Sequence, residues 1–383
     1  MTTALLPAQP AAASRRRRSL SDGRLDSLTG LRFLAAFAVF AHHFTGASPT
    51  GGVAQAPALF PYTTMGVNGV GFFFVLSGFL LAWGHRSGTR AREFYRRRAG
   101  RILPLHLAAT VPCVWVFHVW GGVPWDLPSF VASLVLVQTW FPDVVPMFPG
   151  NGVSWTLSVE AFFYLLFPFV VRGAYRLRTR TLLTLAGTGL VAMWGVNWWA
   201  ALHLSPSRCE WLMRLPVTRL PEFALGLALA LAVGRGLRVP LRPGVLAAAF
   251  AAYTVVYVHR GAWCPEPVAA QLHWTVRPVV ALFSVAVIVA YVQRERAGRR
   301  GWLCTPVMVR LGAWSYAFYL LHQTVNRLIL DHWGRTPPTN LSVFTLLGVA
   351  TVVVALSWAA YTYVEEPARR WWAGRATTES DRR

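Results

Sequence analysis

Of 383 residues, 55% are hydrophobic and only 14% charged, where soluble domains carry about 25% charge, so the polar surface needed by a soluble globule is missing and disordered or fibrous chains are excluded too. The 37 basic residues are all Arg and give a formal net charge of +22, which raises nucleic acid as a partner. Their placement in clusters between apolar runs points instead to a polytopic membrane protein, with no nucleic acid expected.

In chain order, residues 1–24 form a polar, Ala/Pro-rich tail with Arg15 to Arg18 and Arg24, expected to be disordered. A cleaved signal peptide is the rival reading. It is disfavoured because the apolar stretch begins only at Leu31 and no A-x-A site follows it. Ten apolar runs read as spans: 31–47, 65–83, 104–121, 152–171, 181–201, 217–234, 244–259, 275–292, 311–330 and 341–363. Each approaches the ~20 residues that cross the hydrocarbon core. An eleventh run, 129–140, is too short and reads as an interfacial or re-entrant helix.

The Arg distribution supports ten crossings. The tail and the gaps on its side hold 29 Arg, and the opposite gaps hold 4. A full crossing by 129–140 would largely cancel that bias. The expectation is an all-α, polytopic membrane helical bundle of about ten transmembrane helices, both termini cytoplasmic. It has one membrane domain over 25–370, tails at 1–24 and 371–383, and no internal repeat or soluble domain. The localisation expected is a multi-pass cell membrane protein, in a bacterial plasma membrane. The four Cys show no metal spacing. Cys209 and Cys264 fall in outward loops, where a disulfide between them persists if their Cα atoms come within ~7 Å.

Ionisable groups inside spans are functional candidates. Arg32 opens the first span, and His42 and His43 lie in its outer half. Arg32 and His43 are eleven residues apart, which places them nearly on one helix face, ~16 Å apart along the axis. A snorkelling Arg and a structural His are the bland alternative. Glu160 and Glu222 are the acids placed in hydrocarbon, and each needs an Arg or His partner; a structural ion pair is as good a reading for Glu222 as a chemical role. His322 is a further buried imidazole for which packing and chemistry are equally open. Arg98 and Arg101 share a helix face at the inner end of the third span, a pair of guanidinium forks suited to phosphate. Any cytoplasmic loop is Arg-rich, so the run alone carries little weight. The glycines of the second span, Gly66, Gly69, Gly71 and Gly78, read as close helix packing.

Seven segments then stand in one order: LDSLTGLRFLAAFAVFAHHF, GVGFFFVLSGFLL, FYRRRAGRILP, WTLSVEAFFYLLFP, RLPEFALG, SYAFYLLHQ and YVEEPARRW. Together they resemble the acyltransferase-3 family of integral membrane acyltransferases, from about Leu25 to Arg370. The resemblance implies transfer of an acyl group, often acetyl, from cytoplasmic acyl-CoA to a hydroxyl. The acceptor would be a sugar, a surface glycan or an exported secondary metabolite such as a macrolide. It implies no permanently bound cofactor and membrane lipid as surroundings. Carried over by motif, His43 is the catalytic residue and Arg32, Arg98 and Arg101 contact acyl-CoA. Glu160 is expected to orient His43, with Glu222 and His322 as further candidates.

Five positions depart from the family pattern: Thr156 where Ser is usual, Ala161 and Phe162 where a polar pair is usual, His106 for Tyr, and Thr324 for Pro. They bear on acceptor identity rather than on the catalytic groups. The chemistry required is deprotonation of a hydroxyl beside an activated thioester, with His43 as general base or as the site of an acyl-histidine intermediate. Two other classes compete: a secondary transporter with an intramembrane proton or anion path, disfavoured by the lack of inverted repeats, and a non-catalytic scaffold.

Overall fold

An apolar backbone in hydrocarbon has to satisfy every N–H and C=O internally, which leaves helix as the form for each run. The computed structural model describes residues 25–46, 59–86, 88–143, 150–334 and 341–372, and these are mostly helical with no strand among them. The expected tails at 1–24 and 371–383 lie, apart from Trp371 and Trp372, outside the described residues. Ten long helices follow the ten expected spans. They are α1 Asp26–Thr45, α2 Gly69–Trp83, α3 Ala91–Val114, α4 Trp155–Arg176, α5 Thr179–His203, α6 Pro216–Gly234, α7 Pro243–Trp263, α8 Glu266–Arg296, α9 Pro306–Trp333 and α10 Leu341–Ala360. Seven of these, counted with their short helical extensions, are long and apolar enough to cross a membrane. The other three, α1, α5 and α9, are long enough but more polar; α1 and α9 carry the intramembrane His residues His43 and His322.

The 129–140 run does not cross. It forms the 8-residue helix Leu127–Leu134 and a short turn at Gln138–Trp140. Eight residues rise about 12 Å, well short of the hydrocarbon thickness. Asp126 starts this helix by accepting a hydrogen bond from the Ser129 amide at 2.9 Å.

Between helices in lipid, van der Waals contact has to do the work that water exclusion does elsewhere. The α2–α6 seam shows how. A methyl group placed on Gly78 would lie 2.0 Å from the Phe223 carbonyl oxygen, and one on Gly226 would lie 1.9 Å from the Val75 carbonyl oxygen. Each helix thus presents a glycine to the other's backbone, and no side chain fits there. Aromatic rings complete the junction with α4: Phe163 stacks on Phe223 at 4.7 Å, and Phe74 meets Phe163 edge-on at 5.4 Å.

α1 is held at its start from outside. Its own N-cap side chain makes no hydrogen bond. Glu295, in the last turn of α8, instead accepts from the backbone N–H of Asp26 at 2.8 Å and of Ser27 at 3.1 Å. This satisfies amides that a helix start otherwise leaves orphaned and places a negative charge at the positive end of the dipole. The clamp sets the height at which Arg32 and His43 stand.

The disulfide that the sequence left open between Cys209 and Cys264 does not form. All four cysteines carry free thiols. Cys209 is buried and its thiol donates to the Ala200 carbonyl at 3.1 Å, back toward α5, so the bridge to Cys264 is absent. Cys209 lies inside the short helix Pro206–Arg214 and Cys264 at the end of α7, and an expected shared side of the membrane says nothing about which side chains meet.

Candidate active site

Two cavities lie within the bundle, and Tyr319 and Val70 line both. α1 contributes to each: Arg32 lines the first and His43 the second. The spacing of eleven residues therefore distributes one cation and one imidazole along a single helix face, ~16 Å apart.

The first cavity is a basic cleft. Arg32, Arg98 and Arg101 line it together with Glu160, Tyr164 and Tyr316. It encloses about 850 Å³ of empty space, open surroundings included. Arg98 lies over the rings of Phe94 and Tyr164 at 5.4 and 5.5 Å, which fixes its fork without neutralising it. Ser77 donates to Glu160 Oε1 at 3.2 Å, and the Tyr164 hydroxyl donates to the same oxygen. Glu365, buried in the π-helical turn Tyr361–Glu365, is within electrostatic reach of Arg101 and Arg32. Three guanidinium groups against two carboxylates leave the cleft net positive. Planar forks of this kind suit phosphate oxygens.

Glu160 thus stands among the arginines. It was expected to orient His43, but the group beside His43 is a second imidazole. His43 Nδ1 and His322 Nε2 are 3.0 Å apart, and the rings stack at 5.2 Å with 29° between planes. His322 Nδ1 lies 2.6 Å from the Tyr319 carbonyl oxygen. A carbonyl accepts only, so His322 donates through Nδ1. In a neutral ring its Nε2 is then the acceptor. It follows that His43 donates from Nδ1 and keeps the lone pair on Nε2. The hydrogen-bond chain thus fixes both tautomers. The chain ends on a turn of α9 that is itself held. Asn151 Nδ2 donates to the Leu320 carbonyl at 3.0 Å, and the Tyr319 hydroxyl donates to the Val153 carbonyl at 3.2 Å.

The second cavity, about 1070 Å³ on the same measure, surrounds His43 with polar groups. Glu222 and Arg219 form a buried ion pair. Arg219 Nη1 reaches both carboxylate oxygens at 3.1 Å, and the two residues are 1% and 6% exposed. This is the ion-pair reading of Glu222. Gly71 makes room for it: a methyl there would meet Glu222 Oε1 at 2.8 Å. Arg277 also lines the cavity and donates to the Met213 carbonyl at 3.4 Å. Arg214 and Arg219 lie over the Trp155 ring at 5.7 and 5.8 Å.

Sequence reasoning had not assigned Tyr164, Tyr316, Tyr319, Glu365, Arg214 or Arg277 to a site. Glu365 and Tyr319 sit inside motifs already quoted, YVEEPARRW and SYAFYLLHQ, but nothing in the strings says which face turns inward. Arg214 and Arg277 are isolated Arg on the Arg-poor side of the bundle, and that rarity is the signal that marks them.

Acyltransferase MdmB of Streptomyces mycarofaciens is 34% identical over 371 residues, 91% of this chain and 92% of that protein. The putative peptidoglycan O-acetyltransferase YrhL of Bacillus subtilis is 28% identical over 41% of this chain and 25% of its own length. Exopolysaccharide production protein ExoZ of Rhizobium meliloti is 33% identical over 27% of this chain and 34% of its own length. No solved structure matches. The acyltransferase domain of one family matches residues 25–361, from the start of α1 to the end of α10. With that match spanning both cavities and every helix that lines them, the chain belongs to the acyltransferase-3 family.

Proposed function

We propose that this acyltransferase moves an acyl group, in the simplest case acetyl, from acyl-CoA to a hydroxyl of a sugar, surface glycan or exported secondary metabolite such as a macrolide. The observation that carries the reading is the pair of cavities meeting at Tyr319 and Val70, one basic and one holding an imidazole with its lone pair free. In a bacterial plasma membrane with both termini in the cytoplasm, the basic cleft faces the compartment that holds acyl-CoA. The full-length likeness to an acyltransferase, and the shorter one to a putative peptidoglycan O-acetyltransferase, fit the same chemistry.

CoA phosphates dock on Arg98 and Arg101, with Arg32 further in. The pantetheine arm runs along α1 toward His43, and the acceptor occupies the second cavity. His43 Nε2 takes the proton of the acceptor hydroxyl as its oxygen attacks the thioester carbonyl. The His322 Nε2 lone pair keeps the Nδ1–H of His43 bonded throughout, so the imidazolium that forms is stabilised in place. Collapse of the tetrahedral intermediate breaks the C–S bond, and the proton on His43 Nε2 passes to the departing thiolate, giving ester and CoA thiol. Holding both substrates at the junction supplies the proximity term, worth up to ~7–11 kcal/mol for well-aligned reactants.

Purified protein in detergent, assayed for thiol release from acetyl-CoA, tests the reading. His43→Ala should abolish release while the variant elutes and melts like the parent. Near-normal turnover by a well-folded variant would sink the assignment. Mass spectrometry of surface glycans and secreted metabolites, with and without the gene, identifies the acceptor.

A further inference from the structure

We infer that the bundle carries a binding site for one anionic phospholipid, between α7 and α1 on the arginine-rich face. Two surfaces of different chemistry meet there. The first is an apolar groove of about 1550 Å³ of empty space, open surroundings included, walled by α1 and α2 on one side and by α7 and α8 on the other. Leu34, Phe37 and Phe72 line one wall, and Leu246, Phe250 and Phe283 the other. It exists because α7 stands off from the bundle: Tyr257 is its one buried residue, and its membrane-crossing window is 6% buried. A gap of that kind cannot stay empty in a bilayer. Acyl chains are the matter available to fill it, and its lining is mainly aliphatic and aromatic, with Thr63, Asn68, Thr254 and Ser284 as the polar side chains.

The second surface is a basic pocket at the end of the groove. Arg242, Arg294 and Arg299 line it, and Pro243, Tyr291 and Trp302 line both pocket and groove. The three guanidinium groups are exposed and make no hydrogen bond or ion pair to protein among the described residues. The carboxylate at the pocket, Glu295, is already committed to the first amides of α1 and to the Ser27 hydroxyl. Three unpartnered cations therefore face outward where the chain-filled groove reaches the interface. That is the charge complement of a phosphodiester carrying acyl chains. Tyr291 and Trp302 at the seam have the amphipathic rings that sit at headgroup level. A zwitterionic lipid fills the groove equally well but carries a positive charge into the arginine pocket. The pocket therefore selects for anionic headgroups, and a free phosphate forfeits the groove.

The test is native mass spectrometry of the purified protein equilibrated with phosphatidylglycerol or phosphatidylcholine of matched chains. Phosphatidylglycerol should be retained about tenfold or more in preference to phosphatidylcholine, since each Arg near such a surface contributes appreciably. A triple variant, Arg242→Gln with Arg294→Gln and Arg299→Gln, should lose that preference, and the corresponding triple Arg→Lys variant should keep it. Ala247→Trp, which fills the groove from α7 and touches no catalytic group, should lower retention of both lipids. Unchanged preference in the triple Gln variant overturns the headgroup pocket, and unchanged retention in Ala247→Trp overturns the chain groove. Displacement of the lipid by glycerophosphoglycerol at equal concentration overturns the lipid as occupant.

Discussion

Replacing His322 by Phe removes both nitrogens of the imidazole while keeping a ring of similar size. The site is fully buried, and Phe40 already meets the imidazole edge-on at 6.3 Å, so an apolar ring packs there. What goes is the chain from the Tyr319 carbonyl through His322 to His43 Nδ1. Losing one such hydrogen bond costs about 0.5–1.5 kcal/mol, or roughly two- to thirteenfold in rate at 1.36 kcal/mol per decade. Loss of the tautomer adds to this, because an unheld His43 also populates the form with its proton on Nε2. General-base catalysis contributes about 10²–10⁴-fold when complete, and only part of it goes. A fall in kcat of about 10- to 100-fold follows. The KM for acyl-CoA should stay within about twofold, because the arginine cleft lies ~16 Å along α1. His322→Gln, which keeps an acceptor and a donor, should fall in between. The assay is steady-state thiol release by purified protein, with thermal unfolding as a check on the fold. A kcat within twofold of the parent in a stable His322→Phe protein, or a raised KM with kcat intact, would refute the relay.

Arg98→Ala with Arg101→Ala should raise the KM for acyl-CoA by about tenfold or more, since each charge-assisted bond to phosphate is worth ~1.5–3 kcal/mol; equal effects on donor and acceptor would point to folding instead. Glu222→Leu leaves Arg219 buried without its carboxylate and should cost about 3–5 kcal/mol of stability, read as a lowered Tm; an unchanged Tm would mean that water reaches the pair. Gly226→Leu should disrupt the α2–α6 seam, where even a methyl lies 1.9 Å from a carbonyl oxygen, and loss of folded protein by size-exclusion chromatography is the readout. Thiol labelling of unfolded, unreduced protein should find four reactive cysteines; two would restore the Cys209–Cys264 bridge. Tags at residues 10 and 375 should both report cytoplasm, and a tag near Gly51 the outside; opposite reports from the two ends would overturn ten crossings.

By itself the sequence determined the ten long helices of the described residues. Apolar length leaves one backbone solution in hydrocarbon, and the Arg bias between runs excluded 129–140 as a crossing without any tertiary information. The seven ordered motifs likewise carried the family, and intramembrane charge singled out Arg32, His43, Glu160, Glu222 and His322, since each is too costly there to be incidental. Tertiary structure decided which of them meet. Glu160 and His43 are separated by 117 positions and His43 and His322 by 279, and separation along the chain carries no information about which helix faces turn toward each other. Glu160 joined the arginines, His322 joined His43, and Glu222 took Arg219 from one turn before it. The same limit explains the cysteines: topology could place Cys209 and Cys264 on one side of the membrane, but the packing of the short helix Pro206–Arg214 directs the Cys209 thiol toward α5. Helix identity follows from local chemistry that each run carries alone, whereas a site assembled from five or more helices depends on rotations and heights set by contacts such as Glu295 on the start of α1 and the glycine seam of α2 and α6.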